Sequence, residues 1–463
     1  MAIQNNRLSE VVRENVFSQF TNKTSVRMEN DNSQFDPSKK CSSIAGKSIV
    51  VTARIPFKWW AAIGPLAAVT SSGMTAGYST VLLPQLQEKD TSTAVLSMAV
   101  GCVLSGPLMD RLGRKLTHQI TSIPFAAGWF LLAGSSSIWM LYTGRFLTGL
   151  CVGLISPVST VYIAETAGPE VRGPLLAAVS FCVALGVLLV HLLGTFISWA
   201  RVAAISALLP IICLLCVSIV PETPTWLQSI GRSRQAQASH AWFHGDGARS
   251  DAEPQKTDES PSSGVFWKPF LVMCLFFTVQ QCSGVNAVTF YTVHLLRRVG
   301  LHMDKYVATL VLDAVRLFFS TAACYLLKLL NRRTLALVSG VGSGVSLIGL
   351  SLVCSQPDWL PVPLLGLYIA FESIGLVPLP WIMVGEVFPV STRGLGSGLA
   401  SCYGFLVFFT VVKTSPGMLS LLGAGWTFAA YGLIALLGTL LLLVWLPETR
   451  NKTLEEIEEQ LRK

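Results

Sequence analysis

Twelve long apolar runs constrain this chain more than any other feature of its sequence. Most of them reach the roughly 20 residues that an α-helix needs to cross a bilayer core about 30 Å thick. Within that core each backbone N–H and C=O must be paired inside the segment, so helices are favoured over open strands. The sequence therefore predicts an all-α membrane protein, with transmembrane helices at about 59–82, 93–109, 118–137, 139–166, 173–198, 201–220, 266–295, 303–330, 335–354, 361–388, 393–418 and 423–446.

The composition excludes several other classes of protein. Of the 463 residues, 51% are hydrophobic and 13% charged, whereas soluble domains carry about 25% charged residues. The 11 cysteines are scattered without a CxxC pair, and we interpret them as packing residues rather than disulfides or metal ligands. The net charge of +8 is explained better by basic membrane loops than by binding to nucleic acid. Since no nucleotide-binding motif or catalytic constellation is present, we expect no enzyme activity, cofactor or metal.

The longest internal hydrophilic segment divides the apolar runs into two sets of six. The predicted organisation is an N-terminal tail (1–58), a six-helix bundle (59–220), a linker (221–265), a second six-helix bundle (266–446) and a C-terminal tail (447–463). An even number of spans puts both tails on one side, and the loops of that side are rich in arginine. Because basic loops favour the cytoplasm, we predict that both termini and the linker are cytoplasmic. The arginines of LLRRVGLHMDKY, on the opposite side, are an exception.

The two halves repeat each other. DRLGRK is echoed by LLNRRT, and PETPT by PETRN. Between these segments, Glu165 precedes Arg172 by seven residues in the first half, as Glu386 precedes Arg393 in the second. Three elements in the same order indicate a duplicated six-helix unit. Transporters built from parallel repeats have this signature, and they bind substrate between the halves near the bilayer midplane.

These motifs resemble a known family over nearly the whole chain from residue 59. Together with GRFLTGLCVG, YIAETAGPEVRG, QQCSGVNAVTFY and PLPWIMVGEVFP, they are similar to the sugar porters of the major facilitator superfamily, in particular the facilitative glucose transporters and insect facilitated trehalose transporters. The resemblance implies two six-helix bundles that rock around a sugar site. It also implies a small-molecule sugar as substrate and a plasma-membrane location.

A group of uncharged polar residues is predicted to bind the sugar. Amides donate and accept hydrogen bonds without charge, as a neutral polyol requires. By resemblance, Gln280, Gln281 and Asn286 match sugar-binding positions. Trp381 matches the aromatic residue that packs on the apolar face of the sugar, and Ser180 replaces a glutamine of the fifth span. Amides that join helices are the alternative interpretation. The predicted substrate-binding residues are Gln280, Gln281, Asn286, Trp381 and Ser180.

Charged residues at the helix ends of the arginine-rich side are predicted to form a gate. Ion pairs there would hold the inner ends of the helices together while the site faces outward. Positive-inside anchoring is the alternative, although it does not account for glutamates at matched positions. The predicted gating residues are Arg111, Arg114, Arg145, Glu165 and Arg172 in the first half, and Arg332, Arg333, Glu386 and Arg393 in the second.

Two further charges fall at apparent bilayer depth. Arg316 occupies a position that is an amide in the family, and Glu372 one that is usually aromatic. An unpaired charge in the membrane costs at least about 2.5 kcal/mol on insertion scales. We therefore predict a buried pair between Arg316 and Glu372, with Asp313 as a competing partner.

The sequence favours facilitative transport of trehalose or glucose. Proton-coupled sugar porters carry an acid directly after the Gly-Tyr of the first span, where this chain has Ser79. The absence of that acid favours uniport. Two alternatives remain: an inactive paralogue or sensor, suggested by the altered cavity and a short second span, and a transporter of another, charged solute. The oligomeric state is not predicted.

Overall fold

The first bundle consists of six consecutive helices. The computed structural model describes residues 58–86, 92–244, 263–285, 305–354 and 360–462, all within one compact unit, Ile55–Lys463. The predicted tail before residue 58, residues 245–262 of the linker and Asn286 lie outside the described residues. The helices of the first bundle are α1 (Lys58–Leu86), α2 (Ser92–Leu112), α3 (Arg114–Ala133), α4 (Ile138–Thr166), α5 (Pro169–Phe196) and α6 (Trp199–Ile219).

The second bundle repeats this arrangement after two short linker helices. The linker helices are α7 (Pro224–Ser229) and α8 (Ser233–His244). The second bundle contains α9 (Ser263–Cys282), α10 (Lys305–Leu329), α11 (Arg332–Val353), α12 (Pro361–Glu386), α13 (Arg393–Leu421) and α14 (Gly423–Trp445), and α15 (Leu454–Arg462) follows it. Within the described ranges, 9 helices are long and apolar enough to cross a membrane. The predicted all-α membrane fold with two six-helix bundles is confirmed.

The linker and the last helix define one side of the molecule, called here the linker side; the other is the distal side. Helices α4 and α12 both end on the linker side, where Gly385 lies against Thr160 and Ala164. Elsewhere the bundles meet along α2 with α13 and α5 with α10. The two bundles are therefore closed against each other on the linker side.

Glycines bring the helices of the first bundle into backbone contact. A Cβ atom at Gly153 of α4 would lie 1.9 Å from the carbonyl oxygen of Met98 in α2. At Gly186 of α5 it would lie 2.1 Å from the carbonyl oxygen of Thr70 in α1. In lipid, where apolar surface gives little driving force for association, such small residues allow the close packing that holds helices together.

The C-terminal helix α15 is packed against the protein. The acidic segment LEEIEEQ suggests a solvated helix, and this prediction is wrong. The exposed fractions of Leu454, Ile457 and Leu461 are 8%, 1% and 7%, and α15 packs against α9. Residues three and four positions apart share a helix face, so the three apolar side chains form one stripe that is buried while the glutamates stay outside.

Candidate functional site

A buried glutamate joins the two bundles on the linker side. Oε1 of Glu165 lies 2.8 Å from Nη2 of Arg114 in its own bundle and 3.2 Å from Nη1 of Arg393 in the other. The hydroxyl of Thr223 donates to Oε2 of Glu165 over 2.7 Å. One carboxylate therefore holds an arginine from each bundle, as the predicted gate requires.

The second half contains the same cluster in a looser form. Nη2 of Arg332 lies 3.6 Å from Oε1 of Glu386, and the hydroxyl of Thr449 donates to Oε2 of Glu386 over 2.7 Å. Arg172, the counterpart of Arg393, is attracted electrostatically to Glu386 but donates its hydrogen bonds to the carbonyl oxygens of Lys452 and Ala167, at 3.2 and 3.3 Å. The contact between bundles is thus stronger at Glu165 than at Glu386.

The glutamates of the two PET segments hold the helices that carry these arginines. Glu222 accepts backbone N–H groups of Arg114 and Lys115, at 3.1 and 2.9 Å. Glu448 does the same for Arg332 and Arg333, at 3.1 and 3.2 Å. A carboxylate at a helix N-terminus is stabilised by the unpaired N–H groups and the helix dipole. Burial raises the pKa of Glu222, and these N–H donors oppose that shift.

The local backbone explains one difference between the halves. Gly113, before α3, has φ of 86°, and a Cβ atom there would lie 2.3 Å from Oε2 of Glu222. Only glycine fits this turn readily. At the matching position before α11, Asn331 has φ of −70°, which any residue can adopt.

Sequence reasoning missed the four PET side chains described above. Glu222, Thr223, Glu448 and Thr449 contact the predicted gate residues directly. The signal was available, because PETPT and PETRN were recognised as a repeat. What the sequence did not show is that the loops fold back onto α3 and α11.

Two predicted gate residues, Arg333 and Arg111, form no ion pair within the described ranges. Arg333 donates from Nε to the carbonyl oxygen of Leu446, at 2.5 Å. Arg111 is exposed, and no ion pair to it is found among the described residues.

Arg145 lies at the opposite end of α4 from Glu165. The two residues are 20 positions apart in one helix, which corresponds to about 30 Å. Arg145 donates to the carbonyl oxygen of Thr75, at 3.1 Å, and to the hydroxyl of Ser79. Its guanidinium lies 5.8 Å from the ring centre of Tyr78. The prediction that Arg145 faces Glu165 is wrong, because a continuous helix separates them.

The packing of the C-terminal helix can be tested by substitution. Replacing Ile457 with aspartate places a charge where the exposed fraction is 1%. We expect a loss of about 3 kcal/mol of stability, from lost apolar burial and the cost of a buried charge. The measurement is the melting temperature of the purified protein in detergent. Glu455→Ala, at an exposed position of the same helix, is the control; equal melting of both variants would mean that α15 is not part of the folded core.

The predicted sugar-binding amide Gln280 lies beside an irregular part of α12, where a π-helical stretch, Glu372–Leu376, is followed by Pro378. Nε2 of Gln280 donates to the carbonyl oxygen of Val377, at 3.1 Å, next to the prolines at 378 and 380. Oε1 of Gln280 is buried with no hydrogen-bond partner in the described part of the chain. Gln281, the next residue, is 8% exposed.

An aromatic group stands next to these amides. The ring of Trp381 lies 5.1 Å from that of Phe277 and 5.5 Å from that of Phe405, between ring centres. Phe277 is one turn before Gln280 in α9. The structure thus brings Gln280, Gln281 and Trp381 into one region of the second bundle. Ser180 of α5 is 8% exposed, and its hydroxyl has no partner among the described residues.

The predicted ion pair between Arg316 and Glu372 is not formed. Oε1 of Glu372 accepts instead from the hydroxyl of Ser283, at 2.7 Å, and Arg316 interacts with the carboxylate only through Coulombic attraction. The competing partner Asp313 binds His191. The prediction is wrong in geometry, because no nitrogen of Arg316 lies within ion-pair distance of Glu372, whose Oε2 is buried with no hydrogen-bond partner in the described part of the chain.

Comparison with known proteins agrees with this architecture. Residues 66–461 match the family model described as "Sugar (and other) transporter". The chain belongs to the sugar transporter family. Members of this family are carriers of the major facilitator superfamily and not enzymes, so the predicted family and class of protein are confirmed.

The relatives within the sugar transporter family include insect proteins. The chain is 30% identical over 430 residues to "Facilitated trehalose transporter Tret1" of Polypedilum vanderplanki, with 86% of this chain and 85% of the relative covered. It is 30% identical over 430 residues to "Facilitated trehalose transporter Tret1-2 homolog" of Drosophila simulans, with 86% and 88% covered.

A solved structure shares the fold of this sugar transporter family member. It is the proton:xylose symporter XylE bound to 6-bromo-6-deoxy-D-glucose, and the TM-score is 0.77 at 22% identity. The alignment covers 88% of this chain and 98% of that one.

Proposed function

We propose that this protein is a facilitative transporter of trehalose or glucose in the plasma membrane, with its linker side in the cytoplasm. The observation that carries the proposal is Gln280, a buried uncharged amide whose Oε1 has no partner among the described residues. It stands beside the Trp381 aromatic group, so polar and apolar surfaces meet as they do on a sugar. The insect trehalose transporters among the relatives support this choice of substrate.

The ion pairs around Glu165 and Glu386, called here the linker-side cluster, supply the gate for alternating access. Rocking the bundles apart on this side breaks the contact between Glu165 and Arg393, whereas Arg114, 2.8 Å from the carboxylate here, belongs to the same bundle as Glu165 and moves with it. Glu165 therefore never becomes an unpaired buried charge. This keeps the two conformations within the few kcal/mol of each other that a working equilibrium requires.

Uniport is supported by the surroundings of Arg145. Its described hydrogen-bond acceptors are a backbone carbonyl and the hydroxyl of Ser79, neither of which gains or loses a proton near neutral pH. In proton-coupled relatives of the family an acid stands at the position of Ser79. Downhill transport without an obligatory proton follows.

Uptake into proteoliposomes tests the proposed function. We expect saturable uptake of labelled trehalose or glucose that is not driven uphill by a proton gradient. A panel of small organic ions tests the charged-solute alternative, which the buried Glu372 and the nearby Arg316 favour. Absence of any saturable flux from correctly folded protein would contradict transport and favour a sensor.

The role of Gln280 can be tested by substitution with leucine. Because leucine keeps the size of the side chain but removes its hydrogen bonds, we expect sugar uptake to fall about 5- to 150-fold, as losing a hydrogen bond to a buried polar partner costs about 1–3 kcal/mol. Gln119→Leu is the matched control, since Gln119 bonds Ser218 within the first bundle, at 3.0 Å. Equal uptake by the two variants would place the sugar elsewhere.

A further inference from the structure

A histidine of the first bundle reaches an aspartate of the second in the distal half of the molecule. Nδ1 of His191 in α5 lies 2.5 Å from Oδ2 of Asp313 in α10. Nε2 of His191 faces α1, 3.1 Å from the carbonyl oxygen of Gly77 and 2.5 Å from the hydroxyl of Thr80. The predicted gate and sugar site involve neither His191 nor Asp313 as paired here.

The acceptors around the imidazole require two protons on it. A carbonyl oxygen can only accept, so the contact with Gly77 needs a proton on Nε2. An ionised carboxylate also only accepts, so the contact with Asp313 needs a proton on Nδ1. The hydroxyl of Thr80 donates to the carbonyl oxygen of Gly77, at 2.5 Å, and is free to accept from Nε2. All of these hydrogen bonds form together only when both ring nitrogens of His191 carry a proton and Asp313 is ionised. The pair then holds one proton more than a neutral histidine beside an ionised aspartate.

The position of the pair couples this proton to conformation. His191 is 22 residues along α5 from its linker-side start at Pro169, about 33 Å. Asp313 is eight residues from the distal start of α10 at Lys305, about 12 Å. Rocking that opens the distal side must separate α5 from α10 there. The pair thus mirrors, on the distal side, the contact between Glu165 and Arg393.

Other charged or titratable groups lie on the helices packed against α5 and α10. Those in the distal halves of these helices are Tyr78 on α1, Tyr142 and Arg145 on α4, Arg201 on α6, Arg316 on α10, and Tyr368 and Glu372 on α12. Arginine and tyrosine side chains ordinarily titrate above pH 9, whereas histidine changes charge near pH 6.5. Among the groups named above, Glu372 is the one carboxyl, and it is 1% exposed, so an experiment between pH 5.5 and 7.5 must control for it.

We propose that His191 and Asp313 form a proton-binding latch that holds the distal side of the two bundles closed, so that acid on that side favours the closed conformation. The closed state binds the proton between two bundles, and the open state loses half of the site. By linkage, a proton that binds one conformation more tightly shifts the equilibrium toward it. The inference rests on the proposed function in one respect: only in a sugar transporter does the latch make the external opening of the sugar pathway sensitive to pH.

A distance measurement tests the latch without relying on transport. Spin labels attached through noncanonical amino acids at Ser136 and Ser420, exposed distal positions on different bundles, report the opening in lipid nanodiscs. We expect the ratio of open to closed protein to fall about fivefold between pH 7.5 and pH 5.5, within the usual range of coupling between two sites. His191→Gln and Asp313→Asn should each abolish this change.

Two controls separate the latch from other titrations. His240→Gln removes a histidine from the linker helix, and Glu372→Gln removes the buried carboxylate; both should keep the pH-dependent distance. A pH-independent ratio in the unmodified chain, or a response that survives in folded His191→Gln protein, overturns the proposal. Loss of the response in Glu372→Gln also overturns it. If the distances respond as expected while no sugar is transported, the latch stands and the proposed function fails.

Discussion

Glu165→Gln is expected to abolish transport and to destabilise the protein by about 3–5 kcal/mol. The substitution keeps the shape of the side chain but removes the negative charge, which leaves the guanidinium groups of Arg114 and Arg393 uncompensated. Their side chains are 3% and 0% exposed, and removing one partner of a buried ion pair costs about this much. The measurements are the melting temperature in detergent and sugar uptake into proteoliposomes.

Glu386→Gln is the matched control for the cross-bundle contact. Its nearest arginine, Arg332, belongs to the same bundle and lies at 3.6 Å. We therefore expect a smaller loss of stability, about half that of Glu165→Gln. If the two variants lose the same stability, the contact from Arg393 to Glu165 is not what holds the linker side closed.

Gly153→Ala is expected to prevent correct folding of the first bundle. The added Cβ atom would lie 1.9 Å from the carbonyl oxygen of Met98 and 3.0 Å from the backbone nitrogen of Cys102. Both are backbone atoms, so no side-chain rotation relieves the clash and α2 must move away from α4. Overpacking of a rigid core costs about 1–3 kcal/mol or more. We expect little monodisperse protein in size-exclusion chromatography after solubilisation in detergent.

Gly366→Ala is the corresponding control in the second bundle. A Cβ atom at Gly366 of α12 meets nothing within 4 Å, and alanine is the better helix former. Its yield and elution profile should match those of the unmodified chain. A well-folded Gly153→Ala protein would show that α2 and α4 can separate at little cost.

Much of the charged cluster on the linker side was visible in the sequence because it is repeated. Glu165 and Glu386 occur in the same context in the two halves, and the structure places each within reach of an arginine. The repeat could not show that Arg393 crosses to Glu165. That contact depends on how the two bundles are closed against each other, which is a property of neither half alone.

Three expectations failed for related physical reasons. Arg145 was grouped with Glu165 by charge, although one uninterrupted helix holds them about 30 Å apart. Arg316 was matched with Glu372 by the cost of unpaired charge, but the structure gives this carboxylate one hydrogen bond, from the hydroxyl of Ser283 to Oε1, and no ion pair with Arg316. The C-terminal helix was predicted to be solvated because of its glutamates, whereas Leu454, Ile457 and Leu461 decide where it packs. In each case the sequence identified the type of residue correctly, but it did not show in which direction the side chain points.

The amino-acid sequence by itself determined the class of structure and its symmetry. Runs of about 20 apolar residues have only one stable solution in a bilayer, the helix, because no water is available to pair the backbone. Only the tertiary structure decided which polar groups meet. Partners such as His191 and Asp313 are 122 residues apart in sequence. Their meeting depends on helix rotation and bundle packing, which short-range periodicity does not encode.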